Sequence, residues 1–322
     1  MTAGPGAAGH DGSTAAGLVA VGVDGSPVAL GAAELAADEA VRRGWPLRLV
    51  HAGAWPAAWP HWPVPAPAEA DEILVKPLAE AVARIRVRYP DLPLTLADVP
   101  GPAAGVLVDQ SRQADLVIVG NRGLGGFAGL LAGSVSTQLA AYGSGVVLVD
   151  RDRDRIQAAP RPMAVGRAVA GPVVMGAVVV GADGSPGAAP AMRFAAEEAR
   201  LRGVPLIAIF AADGGSVHAP AARRGEAEGR ARAESRAQAE DLGHDDVPVG
   251  ERRRVPGDPR TVLVDASAWA GLVVVGSRGY GGPAGPPLGS VGQALVHHSH
   301  CPVAIVHIGH RPMGDDRGST AE

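Results

Sequence analysis

Two segments of this 322-residue chain repeat one spacing that suits chemistry on an anion: glycine, two residues, glycine, nine residues, then Gly-Ser. The first supplies Gly120, Gly123, Gly133 and Ser134, the second Gly276, Gly279, Gly289 and Ser290, with Val135 and Val291 one position further on. Glycines in a turn expose backbone N–H groups without side-chain interference. Gly-Ser then opens a helix with serine as a natural N-cap, and a helix N-terminus offers free N–H groups and a positive dipole to a phosphate. A glycine-rich turn feeding a capped helix, with no ligand, is the plain alternative. Asp24 and Asp183 form a second repeated pair, each ending an apolar run and followed by Gly-Ser. A carboxylate there can accept hydrogen bonds from ribose hydroxyls, or it can cap the next helix through its turn. Backbone groups around Val50, His51 and Ala52, at the end of another apolar run, are placed to meet an adenine edge.

Other chemistries are excluded by what is scarce. The only lysine is Lys76, preceded by Val75, so no Gly-Lys-Ser/Thr phosphate loop exists and a Walker-type triphosphatase is ruled out. The only cysteine is Cys301, so there is no disulfide framework and no all-cysteine zinc site. Net charge is −4, with 29 basic against 33 acidic residues and no polybasic run, which argues against nucleic acid or an anionic membrane as the main partner. Residues 123–149 carry no charge, but their glycines, serines, Thr137 and Gln138 read as a loop and a short helix rather than a membrane span. No targeting signal is visible, the first positive side chain being Arg42, and a cytoplasmic location is expected. No Ser/His/Asp arrangement repeats between the segments, and no catalytic residue or metal ligand is assigned.

These motifs sit in a chain written twice. Val21-Gly22-Val23-Asp24-Gly25-Ser26-Pro27 returns as Val180-Gly181-Ala182-Asp183-Gly184-Ser185-Pro186, 159 positions later, and Gly133-Ser134-Val135 returns as Gly289-Ser290-Val291 at an offset of 156. Within each copy, valine-rich runs alternate with helical patterns. In copy one the runs lie near 18–23, 47–51, 94–99, 115–119 and 146–149; in copy two near 177–182, 205–210, 248–255, 272–275 and 303–307. Apolar strands flanked by helices make a parallel α/β sheet with right-handed crossovers. The expected division is a flexible N-terminus over 1–16, a first domain over 17–150, a linker over 151–173, a second domain over 174–309 and a flexible C-terminus over 310–322. The 53–67 loop, with Trp55, Trp59 and Trp62 among prolines, is read as a proline-stiffened insertion, with a lid or docking patch as the other readings.

With both halves laid out from first strand to last, the chain resembles a tandem member of the universal stress protein family. The Gly-2x-Gly-9x-Gly-Ser signature, the VDGS-type first turn and the HHSHCPVAIVH ending of copy two carry the resemblance. It implies two adenine-nucleotide α-hydrolase-like (Rossmann-like) domains, each with a five-stranded parallel sheet of order 3-2-1-4-5. It also implies ATP at Asp24, Val50, Gly120, Gly123, Gly133, Ser134 and Val135, and at the matching Asp183, Gly276, Gly279, Gly289, Ser290 and Val291, with Mg2+ on the phosphates. Fifth strands of the family pair across a two-fold axis, so Val146–Val149 and Val303–Val306 are expected to join the halves as an internal pseudo-dimer; a homodimer of whole chains is compatible with this. Copy two carries Pro283, Pro286 and Pro287 in its nine-residue loop, which removes three backbone donors, whereas Gly126 to Leu131 of copy one stays closer to the family pattern. Copy one is therefore expected to be the tighter site.

Three further features are read plainly. His297, His298, His300 and Cys301 suit a helix C-terminus before a buried strand better than a metal centre. The string His307-Ile308-Gly309-His310 matches nucleotidyl-transferring relatives of this fold, but it follows the last strand rather than the first and is read as coincidence. Arg223–Glu240 reads as a solvated, charge-alternating helix. The function expected is nucleotide-dependent regulation of a stress response without efficient turnover. A slow ATPase or nucleotidyl transferase, with Asp24 positioning metal and water, and a scaffold that binds no nucleotide both remain open.

Overall fold

The computed structural model describes residues 17–53, 67–124, 132–151, 173–185, 187–212, 249–279 and 287–307. The two flexible termini, most of the tryptophan loop and linker, the Gly126–Leu131 pattern, Pro283 and Pro286, the Arg223–Glu240 helix and His310 lie outside the described residues.

The first half runs β1 (Val19–Gly22), α1 (Pro27–Arg43), β2 (Leu47–Gly53), α2 (Pro67–Arg88), β3 (Leu94–Pro100), α3 (Ala103–Ser111), β4 (Leu116–Gly120), α4 (Ser134–Tyr142) and β5 (Val146–Asp150). The second runs β6 (Val178–Gly181), α5 (Ala188–Arg202), β7 (Leu206–Ala212), β8 (Val249–Pro256), α6 (Pro259–Ala266), β9 (Leu272–Gly276), α7 (Ser290–His298) and β10 (Val303–Val306). Local signals set the helix ends. Pro27 stands in the first turn of α1, where its missing N–H costs nothing, and Gly44 closes the helix at φ 65, a left-handed conformation that disfavours side chains. Gly203 closes α5 at the same φ. Gly25 and Gly184, at φ 83 and 79, make the turns after β1 and β6.

All ten described strands form one sheet, ordered β3-β2-β1-β4-β5-β10-β9-β6-β7-β8. Each half is parallel and has the order 3-2-1-4-5 within itself. The halves meet where β5 and β10 pair antiparallel, Val147 facing Ile305 and Val149 facing Val303. The two five-stranded sheets are thus one continuous sheet, joined through Val146–Val149 and Val303–Val306 as the resemblance implied, and two apolar edges that would otherwise be open are paired. Alternate strand residues feed two cores. Val19, Val21, Leu116 and Ile118 pack beneath α1 and α2 together with the α5 side of the second half. Ala20, Val117, Val119, Val147 and Val149 pack against α3, α4, α6 and α7 on the other face.

A second bond between the halves is ionic. Glu39 and Arg43 of α1 meet Glu198 and Arg202 of α5, each helix contributing an i,i+4 pair. Two ion pairs cross between the helices, Arg43 to Glu198 and Arg202 to Glu39. Glu39 and Glu198 are both 0% exposed. Burial by itself would push the Arg43 guanidinium down, but Glu198 and Glu39 outweigh it and hold its pKa above the ordinary arginine value.

Candidate functional site: a glycine-lined cleft at the strand ends

At the carboxyl ends of β1, β2 and β4 a cleft of about 410 Å³ opens, lined among others by Asp24, Val50, Gly120, Gly123, Gly133, Ser134 and Val135. All seven residues singled out in the first copy therefore meet in one place. The crevice at the carboxyl ends of parallel strands is where open α/β sheets take ligands.

Close approach of neighbouring atoms, and not positive φ, is what demands glycine here. A Cβ on Gly120 would stand 2.9 Å from Val28 Cγ1, where the start of α1 crosses the end of β4, and one on Gly123 would overlap Asp24 Oδ2. The nine-residue spacing closes on itself: Gly133 N–H donates to the Asn121 carbonyl at 2.7 Å, and the Ser136 hydroxyl donates to the same oxygen at 3.1 Å. The loop is tied at its base, which delivers the start of α4 beside the glycine turn.

Two expectations need correction. Ser134 is not the N-cap of α4. Gly133 is, at φ −79 and ψ 159, with no side-chain cap, and Ser134 is the first helical residue. The first-turn N–H groups of Ser134, Val135 and Ser136 have no intrahelical acceptor and no capping side chain competes for them, an arrangement that favours an incoming anion more than a capped helix would. Asp24, secondly, does structural work on both oxygens. Oδ1 accepts from Ser26 N–H at 3.0 Å and Oδ2 from Leu124 N–H at 2.8 Å, so the carboxylate ties the first turn to the glycine loop. The N-cap of α1 is Ser26, whose Oγ accepts from Ala29 N–H at 3.2 Å. Asp24 still lines the cleft and keeps lone pairs for a ribose hydroxyl. Val50 likewise gives its carbonyl to Val23 N–H at 2.8 Å. Beside it His51 Nδ1 stands 3.0 Å from Asp98 Oδ1.

Arg122 escaped the sequence reading. It lines the cleft, and its Nε is buried without a hydrogen-bond partner among the described residues. The signal was available, since the arginine sits inside Gly-2x-Gly and returns in copy two as Arg278. Ala29, Ala52 and Ala103, small residues that leave the cleft open, carried no motif.

The second copy repeats the plan. Gly289 N–H donates to the Ser277 carbonyl at 2.9 Å, and Asp183 Oδ1 accepts from Ser185 N–H at 2.8 Å. A Cβ on Gly279 would stand 2.7 Å from Asp183 Oδ2. Gly289 caps α7 without a side-chain bond and Ser290 is the first helical residue, so the N-cap correction holds twice. Val291 packs on the core as Val135 does. Gly276 faces backbone, the Gly187 carbonyl lying 2.8 Å from where its Cβ would be. Cys301 is a core residue: burial pushes its thiol up to about 12. Burial likewise lowers His297 and His300. Among the described residues no three His, Cys, Asp or Glu side chains gather as a metal site. No helix among them is long and apolar enough to cross a membrane.

A parallel α/β sheet between helix layers, with a glycine-tied loop at its strand ends, written twice, defines a tandem α/β protein. The model of the universal stress protein family matches residues 18–151 and 175–307, and the chain belongs to that family. Universal stress protein Rv2005c of Mycobacterium tuberculosis is 36% identical over 302 residues, covering 89% of this chain and 96% of its own. The crystal structure of a universal stress protein from Archaeoglobus fulgidus matches the fold with a TM-score of 0.60 at 17% identity, over 91% of this chain and 96% of that one. A universal stress protein solved in complex with cAMP matches at 30% identity with a TM-score of 0.32, over 41% of this chain and 94% of that one.

Proposed function

We propose that this chain is a cytoplasmic stress-response regulator that binds ATP in the copy-one cleft, and in its copy-two counterpart, without efficient turnover. The domain division at 17–150 and 174–309 belongs to the same proposal. The observation that carries it is the convergence of Gly120, Gly123, Gly133 and Ser134 on an uncapped helix start beside Arg122. Phosphates would rest on the first-turn N–H groups and Arg122, ribose near Asp24, and adenine against Val50 and Ala52. Gly120 and Gly123 keep side chains out of the cradle. With no clustered metal ligands among the described residues, Mg2+ would be held through the phosphates. Regulation is favoured over catalysis because the one carboxylate lining the cleft among the described residues already accepts from backbone N–H groups on both oxygens, a poor arrangement for a general base.

The test is the nucleotide released on denaturing freshly purified protein, counted per chain, with Gly123→Val and Gly279→Val beside it. One to two equivalents are expected, and each variant should weaken its own site at least about tenfold, because a side chain there runs into the aspartate and fills the cradle. No released nucleotide, and no thermal shift on adding ATP and magnesium, would leave a scaffold. Turnover that vanishes in Asp24→Asn while nucleotide stays bound would replace the regulator with a slow enzyme.

A further inference from the structure

The residue after each fifth strand breaks the internal symmetry. In copy one it is Arg151, which crosses the seam: its Nη1 donates to the Val296 carbonyl at 2.7 Å and its Nη2 to the His297 carbonyl at 3.1 Å, at the end of α7. Copy two has His307 at this position, aligned by the pairing of Asp150 with Gly120 and of Val306 with Gly276. Near the end of α4 a cavity of about 550 Å³ lies between the halves, lined by Tyr142 and Ser144 of the first and Ser277, Arg278 and His307 of the second. None of Gly276, Gly279, Gly289 and Ser290 lines it; it shares Arg278, the counterpart of Arg122, with the edge of the copy-two cradle, and is set apart from that cradle by His307 and the α4 end.

We propose that this seam cavity is a binding site for a small oxyanion, phosphate or carboxylate, seated on the Arg278 guanidinium and the His307 imidazole. Among the described residues Arg278 is the one charged residue lining the cavity, and no Asp or Glu does. Its Nε makes a long bond to the Pro287 carbonyl at 3.4 Å, and it has no ion pair among the described residues. His307 Nε2 is buried without a hydrogen-bond partner among those residues. Burial and the Arg278 charge hold the imidazole down at about 4, so at neutral pH it offers one donor and one acceptor and adds no second charge. A half-buried guanidinium beside an unsatisfied imidazole is the surface an oxyanion completes. The C-terminal end of α4 opposes an anion with at most about half a charge, against a full charge on Arg278. Hydroxyls of Ser144, Ser277 and Tyr142 complete a polar lining of a size that admits a small metabolite carrying the anionic group.

The probes are inorganic phosphate and acetate, titrated into the full chain while the His307 ring resonance, assigned by its loss in His307→Gln, is followed by NMR. A saturable shift with either anion is expected, at least about tenfold weaker in Arg278→Gln, and the tighter of the two identifies the ligand as phosphate-like or carboxylate-like. Equilibrium dialysis of the tighter anion should find one site fewer in His307→Arg, which places a guanidinium where copy one has Arg151. A non-saturating shift, an affinity unchanged in Arg278→Gln, or a saturable shift with guanidinium ion in place of both anions overturns the proposal. His307 lies outside the glycine motif, so an anion site lost in His307→Arg while released nucleotide per chain is unchanged, or a saturable ring shift in a chain that holds no nucleotide, lets either reading fail alone.

Discussion

The two copies agree where a backbone must pass close to another group and diverge where a side chain reaches across a boundary. Both close the nine-residue loop with the same N–H to carbonyl bond, at 2.7 Å and 2.9 Å. Both set the strand-one aspartate against the second glycine of the loop. Both contribute one glutamate and one arginine to the buried quartet between α1 and α5. They part at the helix start, where Ser26 caps α1 through its hydroxyl while α5 begins at Gly187 with no side-chain cap. They part again after the fifth strand, where Arg151 fills its place and His307 faces a cavity. A duplicated chain keeps what its sheet and close packing require, and its ends are free to differ.

The largest effect should come from breaking what the copies share. Glu39→Ala and Glu198→Ala each leave Arg43 and Arg202 sharing one buried carboxylate instead of two and should lower stability by about 3–5 kcal/mol, read from urea unfolding midpoints. The losses should match within about 1 kcal/mol, Glu39 costing slightly more because Arg42 also pairs with it at 2.7 Å. A clear inequality would mean that the quartet belongs to one half.

Acid should sharpen the difference after the fifth strand. His307 is held at about 4 by burial and by Arg278, against about 6.5 in the unfolded chain. Its folded pKa is depressed, so the unfolded state takes up the proton first. The stability it contributes is complete above pH ~6.5 and falls as pH drops towards 4, by on the order of 2–3 kcal/mol. Subtracting the pH profile of His307→Gln from that of the native chain isolates this part. Arg151 does not titrate in that range, so no counterpart is expected from copy one.

The smallest effect tests the helix starts. Ser26→Ala removes the hydroxyl that accepts from Ala29 N–H and should cost about 1 kcal/mol. Ser185→Ala should cost only a few tenths, because what Ser185 gives α5 is its carbonyl, to Ala188 N–H at 2.9 Å. Equal losses in thermal unfolding would show that both serines cap alike.

Much of this molecule was legible in one dimension. Runs such as Leu116–Gly120 and Leu272–Gly276 announce buried parallel strands through unbroken valine-rich composition, and Gly44 and Gly203 announce helix ends. The glycine spacing was legible too, and the five copy-one residues it pointed to share one cleft with Asp24 and Val50. The serine cap was misjudged because propensity favours serine over glycine at an N-cap, while the loop tie through Gly133 N–H decided which residue sits there. Arg122 repeats as Arg278 inside the glycine motif, but only the fold shows that it lines the cleft.

The sequence by itself determined the duplicated α/β plan, the order of elements and the glycine cradle, since each rests on residues close along the chain or on a repeated pattern. Tertiary structure alone decided that Asp24 clamps Leu124, that Glu39 meets Arg202 and Arg43 meets Glu198, and that His307 and Arg278 share a cavity with Tyr142 and Ser144. In the clamp and the quartet the partners lie 100 to 163 positions apart. Periodicity encodes which face of an element is buried, not which distant side chain will lie opposite it, and that is settled only when β5 and β10 pair and bring the two halves together.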